Sequence, residues 1–390
     1  MKIGIDARTI LNPERGEAIG AGHYAYQLIR HLLELDRENE YVIFFDFRVR
    51  EKDVAKFSRD NVKIKFYPFS DYKKYLPGAY SEILGTATLS REKLDVLHTT
   101  SPLSRIPSTY SGKTIVTIYD LAVMKVPEVF PQLARAKTKT LLNFAISRAD
   151  KLIAVSASTK KDICENFKCP QEKVSVIYSG YDKRLSEKSV TSRVEVLSRY
   201  GMEEGDKYML FLGTIEPLKN ITRLMEAFAE FKKRFTATGK NFNYKLVMAG
   251  KRGWLAAEYK RLAKDLGIEK EVIFTGYVVG DDLAPLFANA DFFVMPSLYE
   301  GFGTTVLEAF ATGVPAILSN VSSIPEIAGD AAKLVNPLDT KEIADAMFQF
   351  SQDENLKNSY REKGRAQVEK FNWEKTARET LELYKSFKQN

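Results

Sequence analysis

Short apolar runs alternate along the chain with longer stretches of mixed polarity, and the two kinds of segment predict different elements. In the first half, runs rich in branched and aromatic residues stand at positions 2–5, 41–45, 62–66, 96–98, 114–118, 151–155 and 174–178. They suit strands buried on both faces of a parallel sheet. Tyr24, Leu28, Leu32 and Leu35 recur at helical spacing after a long loop over positions 6–22. Strands alternating with helices imply a parallel sheet with helices on both faces. From Asp182 the sequence DKRLSEKSVTSR interrupts the pattern, which restarts with strands at 208–212, 246–249 and 272–274. The expectation is an α/β protein of two domains: residues 1–185, joined by a C-terminal helix of about 373–390, and residues 200–372.

The most informative stretch runs from Asp291 to Pro337. Positions 291–295 read as a buried strand that Pro296 ends. A turn with Gly301 and Gly303 follows, then a helix carrying Val306, Leu307 and Phe310 and stopped by Gly313 and Pro315. Further strands are predicted at 316–318 and 334–335. Between them Ser323-Ile324-Pro325-Glu326 has the form of a capping box. In open α/β sheets ligands bind beyond the carboxyl ends of the strands, where a helix N-terminus attracts anions. Glu300 and Glu308 flank the glycine turn, and a carboxylate can accept hydrogen bonds from neighbouring hydroxyls, as in ribose recognition. Each also has a plainer reading, Glu300 as a solvated loop acid and Glu308 as the partner of Thr305 in a Thr-x-x-Glu capping box.

Glu300, Gly301, Phe302, Gly303 and Glu308 together, followed by GVPAILSN and SSIPEIAGDAA, resemble the E-x7-E segment of the retaining glycosyltransferases of family 4. The resemblance implies the GT-B fold: two facing Rossmann-like domains with parallel sheets, and a last helix that crosses back to the first. It implies a nucleotide-diphosphate sugar as donor, with Glu300 on sugar hydroxyls, Glu308 on the ribose, and Gly301, Phe302, Gly303, Thr304 and Thr305 lining the donor site. Lys219, in GTIEPLKN, takes the position that holds the diphosphate; Lys251, in AGKRGW, is a second phosphate candidate. Tyr277, in FTGYV, falls where relatives contact the nucleobase, and the loop with Gly20 and Gly22 faces the diphosphate from the first domain. Two departures stand out. Thr214 replaces the arginine that many relatives carry, and Tyr119-Asp120 replaces their His-Asp pair, leaving Asp120 as the acceptor-side candidate. His98 is the remaining histidine at a strand end, its plainer reading a satisfied residue at a sheet edge. GTIEPLKN, VSAST and PEIAGDAA resemble mannosyltransferase-type members that build surface polysaccharide, which favours GDP-mannose and a glycan or lipid-linked acceptor.

The composition, 44% hydrophobic and 28% charged over 390 residues, is that of a globular chain of about two or three domains. Met1 to Asp6 reaches charge before any apolar region forms, which predicts no signal peptide and a cytoplasmic location. Cys164 and Cys169 read as reduced structural thiols, and with only three histidines no zinc set is available. No metal and no cofactor are expected, since Lys219 and helix N–H groups can meet the diphosphate and no Asp-x-Asp pair occurs. Seven basic residues lie between Pro131 and Lys161 against one acid, Asp150, around LLNFAI. This predicts an amphipathic helix able to make peripheral contact with an anionic inner membrane face, or a solvated basic surface. No nucleic-acid module is present. The competing functions are a GT-B epimerase or phosphorylase and a silent nucleotide-sugar binding module; a dehydrogenase is disfavoured because no G-x-G-x-x-G follows the first strand.

Overall fold

The computed structural model describes residues 1–12, 20–67, 78–104, 106–186, 192–251, 253, 255–278 and 282–388. Positions 13–19 of the predicted loop over 6–22, with Gly16, lie outside them. The chain forms two compact units, Met1–Gly180 with Asn372–Asn390, and Tyr181–Phe371. The change of unit thus precedes the polar stretch instead of falling at 185–200. Tyr181 is buried and donates its hydroxyl to Glu369 at 3.3 Å, and the turn Lys183–Ser186 packs on the helix Thr304–Ala311, so the stretch already belongs to the second unit.

The first unit holds β1 (Lys2–Asp6), β2 (Glu40–Asp46), β3 (Val62–Tyr67), β4 (Val96–Thr99), β5 (Thr114–Ile118), β6 (Lys151–Ala154) and β7 (Val174–Val176). They form one parallel sheet in the order β3-β2-β1-β4-β5-β6-β7. Its interior strands are buried along nearly their whole length because helices cover both faces, whereas the edge strand β3 carries Lys63 and Lys65. The helix Trp373–Lys385 packs on the helix Gly20–Leu35, with the Trp373 and Tyr24 rings edge to face at 5.5 Å. His98 is not at a sheet edge: β4 is an interior strand, and the imidazole is fully buried between the Tyr384 hydroxyl at 2.6 Å and Thr117 Oγ1 at 2.8 Å. Burial pushes its pKa down to about 3, so it stays neutral. The basic segment spreads over the helices Gln132–Arg148 and Ala157–Phe167 and the start of β6. Its apolar residues Leu142, Ala145 and Ile146 face the core, so the LLNFAI stripe is not an exposed lipid-facing surface.

The second unit holds β8 (Lys207–Leu212), β9 (Tyr244–Ala249), β10 (Val272–Gly276), β11 (Phe292–Met295), β12 (Ala316–Ser319) and β13 (Lys333–Val335). The parallel order is β10-β9-β8-β11-β12-β13. The chain winds outward from β8 through β9 to β10, then returns to the other side of β8. This reversal opens a crevice beyond the carboxyl ends of β8 and β11, the place where doubly wound sheets bind ligands. Beneath it Phe228, Phe231, Phe235, Tyr244 and Phe292 fill the core, with Phe231 and Tyr244 edge to face at 5.3 Å.

Candidate active site

The loop after β8 is held from two sides. Gly213 donates its N–H to the Ala249 carbonyl at 2.9 Å and Ile215 donates to the Lys251 carbonyl at 3.0 Å, extending the β8–β9 pairing past the strand ends. Asn220 sits at φ 59°, a conformation asparagine tolerates better than most residues, and starts the helix Ile221–Thr236. Its Nδ2 donates to the carbonyls of Pro296 at 3.0 Å and Pro337 at 2.6 Å. Leu298 donates its N–H to the Leu218 carbonyl at 2.9 Å, so the loops after β8 and β11 are tied together. Lys219 Nζ consequently lies 2.6 Å from Glu300 Oε1, with the side chains only 18% and 12% exposed. The sequence reading missed Asn220; its place between a strand-end loop and a helix start was the available signal.

Glu300 is fixed at several atoms. Its Oε1 accepts a second hydrogen bond, from Ser297 Oγ at 2.8 Å, its N–H donates to Ser322 Oγ at 2.9 Å, and its carbonyl accepts from Ser323 Oγ at 2.9 Å. Oε2 accepts none from the described residues and is open to a ligand hydroxyl. Ser297, Ser322 and Ser323 were not among the expected site residues.

Both predicted capping boxes are corrected. Ser323 makes no side-chain cap, because its hydroxyl serves the Glu300 carbonyl. Thr305 lies one residue inside the helix Thr304–Ala311, whose N-cap is Gly303 at φ 94°, and its hydroxyl turns to the Met295 sulfur at 3.2 Å. A glycine N-cap offers no side-chain acceptor, so no cap side chain competes for the first-turn N–H groups, the part of a helix that attracts anions. Phe302 is buried, its ring edge to face with Phe371 at 5.9 Å, so it packs the turn from beneath. Glu308 lies half-buried on this helix. Burial, assisted by the nearby Asp182 carboxylate, pushes its pKa up to about 7.

Lys251 and Tyr277 follow β9 and β10. The ammonium stands 4.9 Å from the ring centroid, and Tyr277 is 43% exposed. The remaining candidates belong to the first unit. Gly20 and Gly22 are not in a loop but in the first turn of the helix Gly20–Leu35, with Gly20 at φ 69° and Gly22 buried. Asp120 is exposed and accepts from the Ala122 N–H at 2.9 Å, starting the short helix Ala122–Lys125. Tyr119, where relatives have histidine, donates its hydroxyl to the Thr100 carbonyl and sets its ring against Tyr24 at 5.2 Å. Burial raises its pKa, so it is a fixed neutral donor. Among the described residues no group of three or more His, Cys, Asp or Glu is gathered to hold a metal ion. No helix among them is long and apolar enough to cross a membrane.

Lys219, Lys251, Glu300 and the helix start at Gly303 all follow the carboxyl ends of β8, β9 and β11, so cations, N–H groups and a carboxylate share one edge of the sheet. Comparisons with known proteins give the family and the fold. Residues 195–367 match the family described as Glycosyl transferases group 1, and residues 19–185 match Glycosyltransferase Family 4. The chain is 30% identical over 273 residues to the O-antigen chain mannosyltransferase B of Escherichia coli, covering 70% of each protein. It is 27% identical over 371 residues to the N-acetyl-alpha-D-glucosaminyl L-malate synthase of Bacillus anthracis, covering 94% of this chain and 93% of that protein. In fold it is similar to sucrose-phosphate synthase from Thermosynechococcus elongatus, with a TM-score of 0.76 at 20% identity over 99% and 98% of the two chains. The chain belongs to family 4 of the glycosyltransferases and is a glycosyltransferase of the GT-B fold.

Proposed function

We propose that the protein is a retaining, metal-independent hexosyltransferase that moves mannose from GDP-mannose to a glycan or lipid-linked acceptor in cell-surface polysaccharide synthesis. The observation that carries this reading is the pairing of the Lys219 ammonium with Glu300 at 2.6 Å beside the uncapped helix start at Gly303, in the crevice between β8 and β11. In the transfer, the acceptor hydroxyl forms the new bond to the anomeric carbon on the same face and gives its proton to the departing diphosphate. The bond between the anomeric carbon and the diphosphate oxygen breaks, leaving negative charge on the diphosphate and positive character on the sugar. Lys219 and the N–H groups of Gly303, Thr304 and Thr305 meet the first, with Lys251 as a further cation, and Glu300 orients the sugar through Oε2. Glu308 accepts from the ribose, Tyr277 borders the base, and Asp120 serves the acceptor side. Mannose is favoured by the relationship to the O-antigen mannosyltransferase of Escherichia coli.

Melting the protein against GDP-mannose, UDP-glucose and ADP-glucose, with EDTA present, tests donor and metal together. A ligand at about 100 times its dissociation constant adds about 2.7 kcal/mol. GDP-mannose should raise the midpoint most; a larger shift with a UDP-sugar overturns the donor assignment. Retention is read from the anomeric configuration of the product. The helix Gln132–Arg148 begins with Leu133 at 83% exposure near exposed Lys137 and Lys139, which supports contact with anionic lipid bearing the acceptor. Adsorption to anionic vesicles should weaken with salt, and its absence at low salt overturns this part.

A further inference from the structure

Lys219 and Ser297 both bond the same atom of Glu300, its Oε1, at 2.6 Å and 2.8 Å, while Oε2 is left open. Lys219 lies in the loop after β8 and Ser297 in the turn after β11, so the two holds come from different strands. They also differ in kind. Ser297 is fully buried and two residues from the end of β11, whereas the ammonium is a point charge on a flexible stem, whose partner can be exchanged for another anion. A diphosphate arriving at the Gly303 helix start therefore competes with Glu300 for Lys219. Two anions cannot both keep one small cation at full strength, and the diphosphate brings the greater charge together with helix N–H groups.

We propose that the Lys219–Glu300 pair is a donor-responsive latch: the diphosphate draws Lys219 away from Glu300, and Ser297 is the positioning residue that keeps the Glu300 carboxylate aimed at the sugar once the pair has opened. The latch rests on the donor-site reading above. Before a donor binds, the pair neutralises two shielded charges and costs diphosphate affinity. After binding, the cation that stabilises the leaving group has been recruited by the substrate itself, and Glu300 holds its direction through the hydroxyl of Ser297 alone. Substrate and nucleoside diphosphate product open the latch alike, so the latch weakens product retention as well as substrate binding.

GDP titrated by calorimetry into the wild-type chain and its variants tests this. Glu300→Gln removes the competing charge and should bind GDP about five- to tenfold more tightly, although turnover falls. The gain should vanish in the Lys219→Ala background, because it acts through that ammonium. Unchanged or weaker GDP binding by Glu300→Gln, or a gain that persists without Lys219, overturns the latch while leaving the donor site standing; a wild-type chain that binds neither GDP nor UDP overturns both. Ser297→Ala should leave GDP affinity within about twofold and lower kcat about tenfold, with Ser297→Thr recovering part of it. Unchanged kcat in a folded Ser297→Ala enzyme removes the positioning role.

Discussion

The carbonyl oxygen of Gly213 occupies the space that any side chain on Gly250 would need, since a Cβ there would stand 1.8 Å away. A Cβ on Gly253 would meet the Ile215 carbonyl oxygen at 2.2 Å. These glycines let the loops after β8 and β9 run backbone against backbone, and this contact sets the height of the loop that carries Lys219. Gly250→Ala must push that loop away, so both the melting midpoint and the GDP affinity should fall, the latter by about tenfold. Gly205→Ala, with open space around its Cβ position, should change neither. Calorimetry on the three folded proteins checks the contrast.

Lys219→Ala should be severe, because Thr214 stands where the family resemblance places, in many members, a second cation. Removing a preorganised donor aimed at transition-state charge costs about 3 to 4 kcal/mol, or roughly 10²- to 10³-fold in kcat. Adding Thr214→Arg should recover part of the loss. A Lys219→Ala enzyme that keeps more than about a third of wild-type turnover at saturating donor would shift the diphosphate to Lys251.

If Glu308 accepts from the ribose as proposed, donor binding should depend on pH. Its pKa, pushed up to about 7, leaves the carboxyl largely protonated below neutrality, whereas an unfolded glutamate is already ionised above about 4.5. Because the folded state binds this proton more tightly, the stability contribution is present at low pH and is lost as pH rises through about 7. Acceptance of two ribose hydroxyls runs the other way and improves on ionisation. GDP affinity should rise from pH 6 to 8 in the wild type and stay flat in Glu308→Gln, while Asp182→Asn should move the midpoint to lower pH.

His98 is predicted to matter for folding and not for transfer. Tyr384→Phe removes the partner of a fully buried imidazole nitrogen, which costs about 1 to 3 kcal/mol. The KM for donor should not change. With the folded pKa lowered to about 3, the unfolded chain binds this proton more readily, so stability is lost as pH falls from the ordinary histidine range toward 3. Denaturant melts at pH 7 and pH 5 read both effects.

Much of this was legible in the chain because it depends on local pattern. Strands such as β8 and β11 announce themselves as short apolar runs, since both faces of a parallel sheet are covered. The turn from Glu300 to Gly303 marks itself because two glycines stand between a strand and a helix, with one carboxylate opening the turn and a second, Glu308, on the helix that follows. The succession of strands and helices likewise implied a doubly wound architecture. What the sequence left undetermined lies wherever one group chose among several partners. Ser323 and Thr305 each sat in a capping-box pattern, yet one hydroxyl went to the Glu300 carbonyl and the other to the Met295 sulfur, because those atoms were brought within reach by distant segments. Spacing along the chain placed His98 at a strand end, but only the order of strands showed β4 to be interior, with Tyr384 from the last helix closing over it. The meeting of Lys219 with Glu300 spans 81 positions and exists because β8 and β11 are neighbours in the sheet although β9 and β10 come between them in the chain, a pairing that neither residue's surroundings foretell. Local periodicity is written residue by residue, whereas a hydrogen bond is decided by which atoms the finished packing brings within about 3 Å.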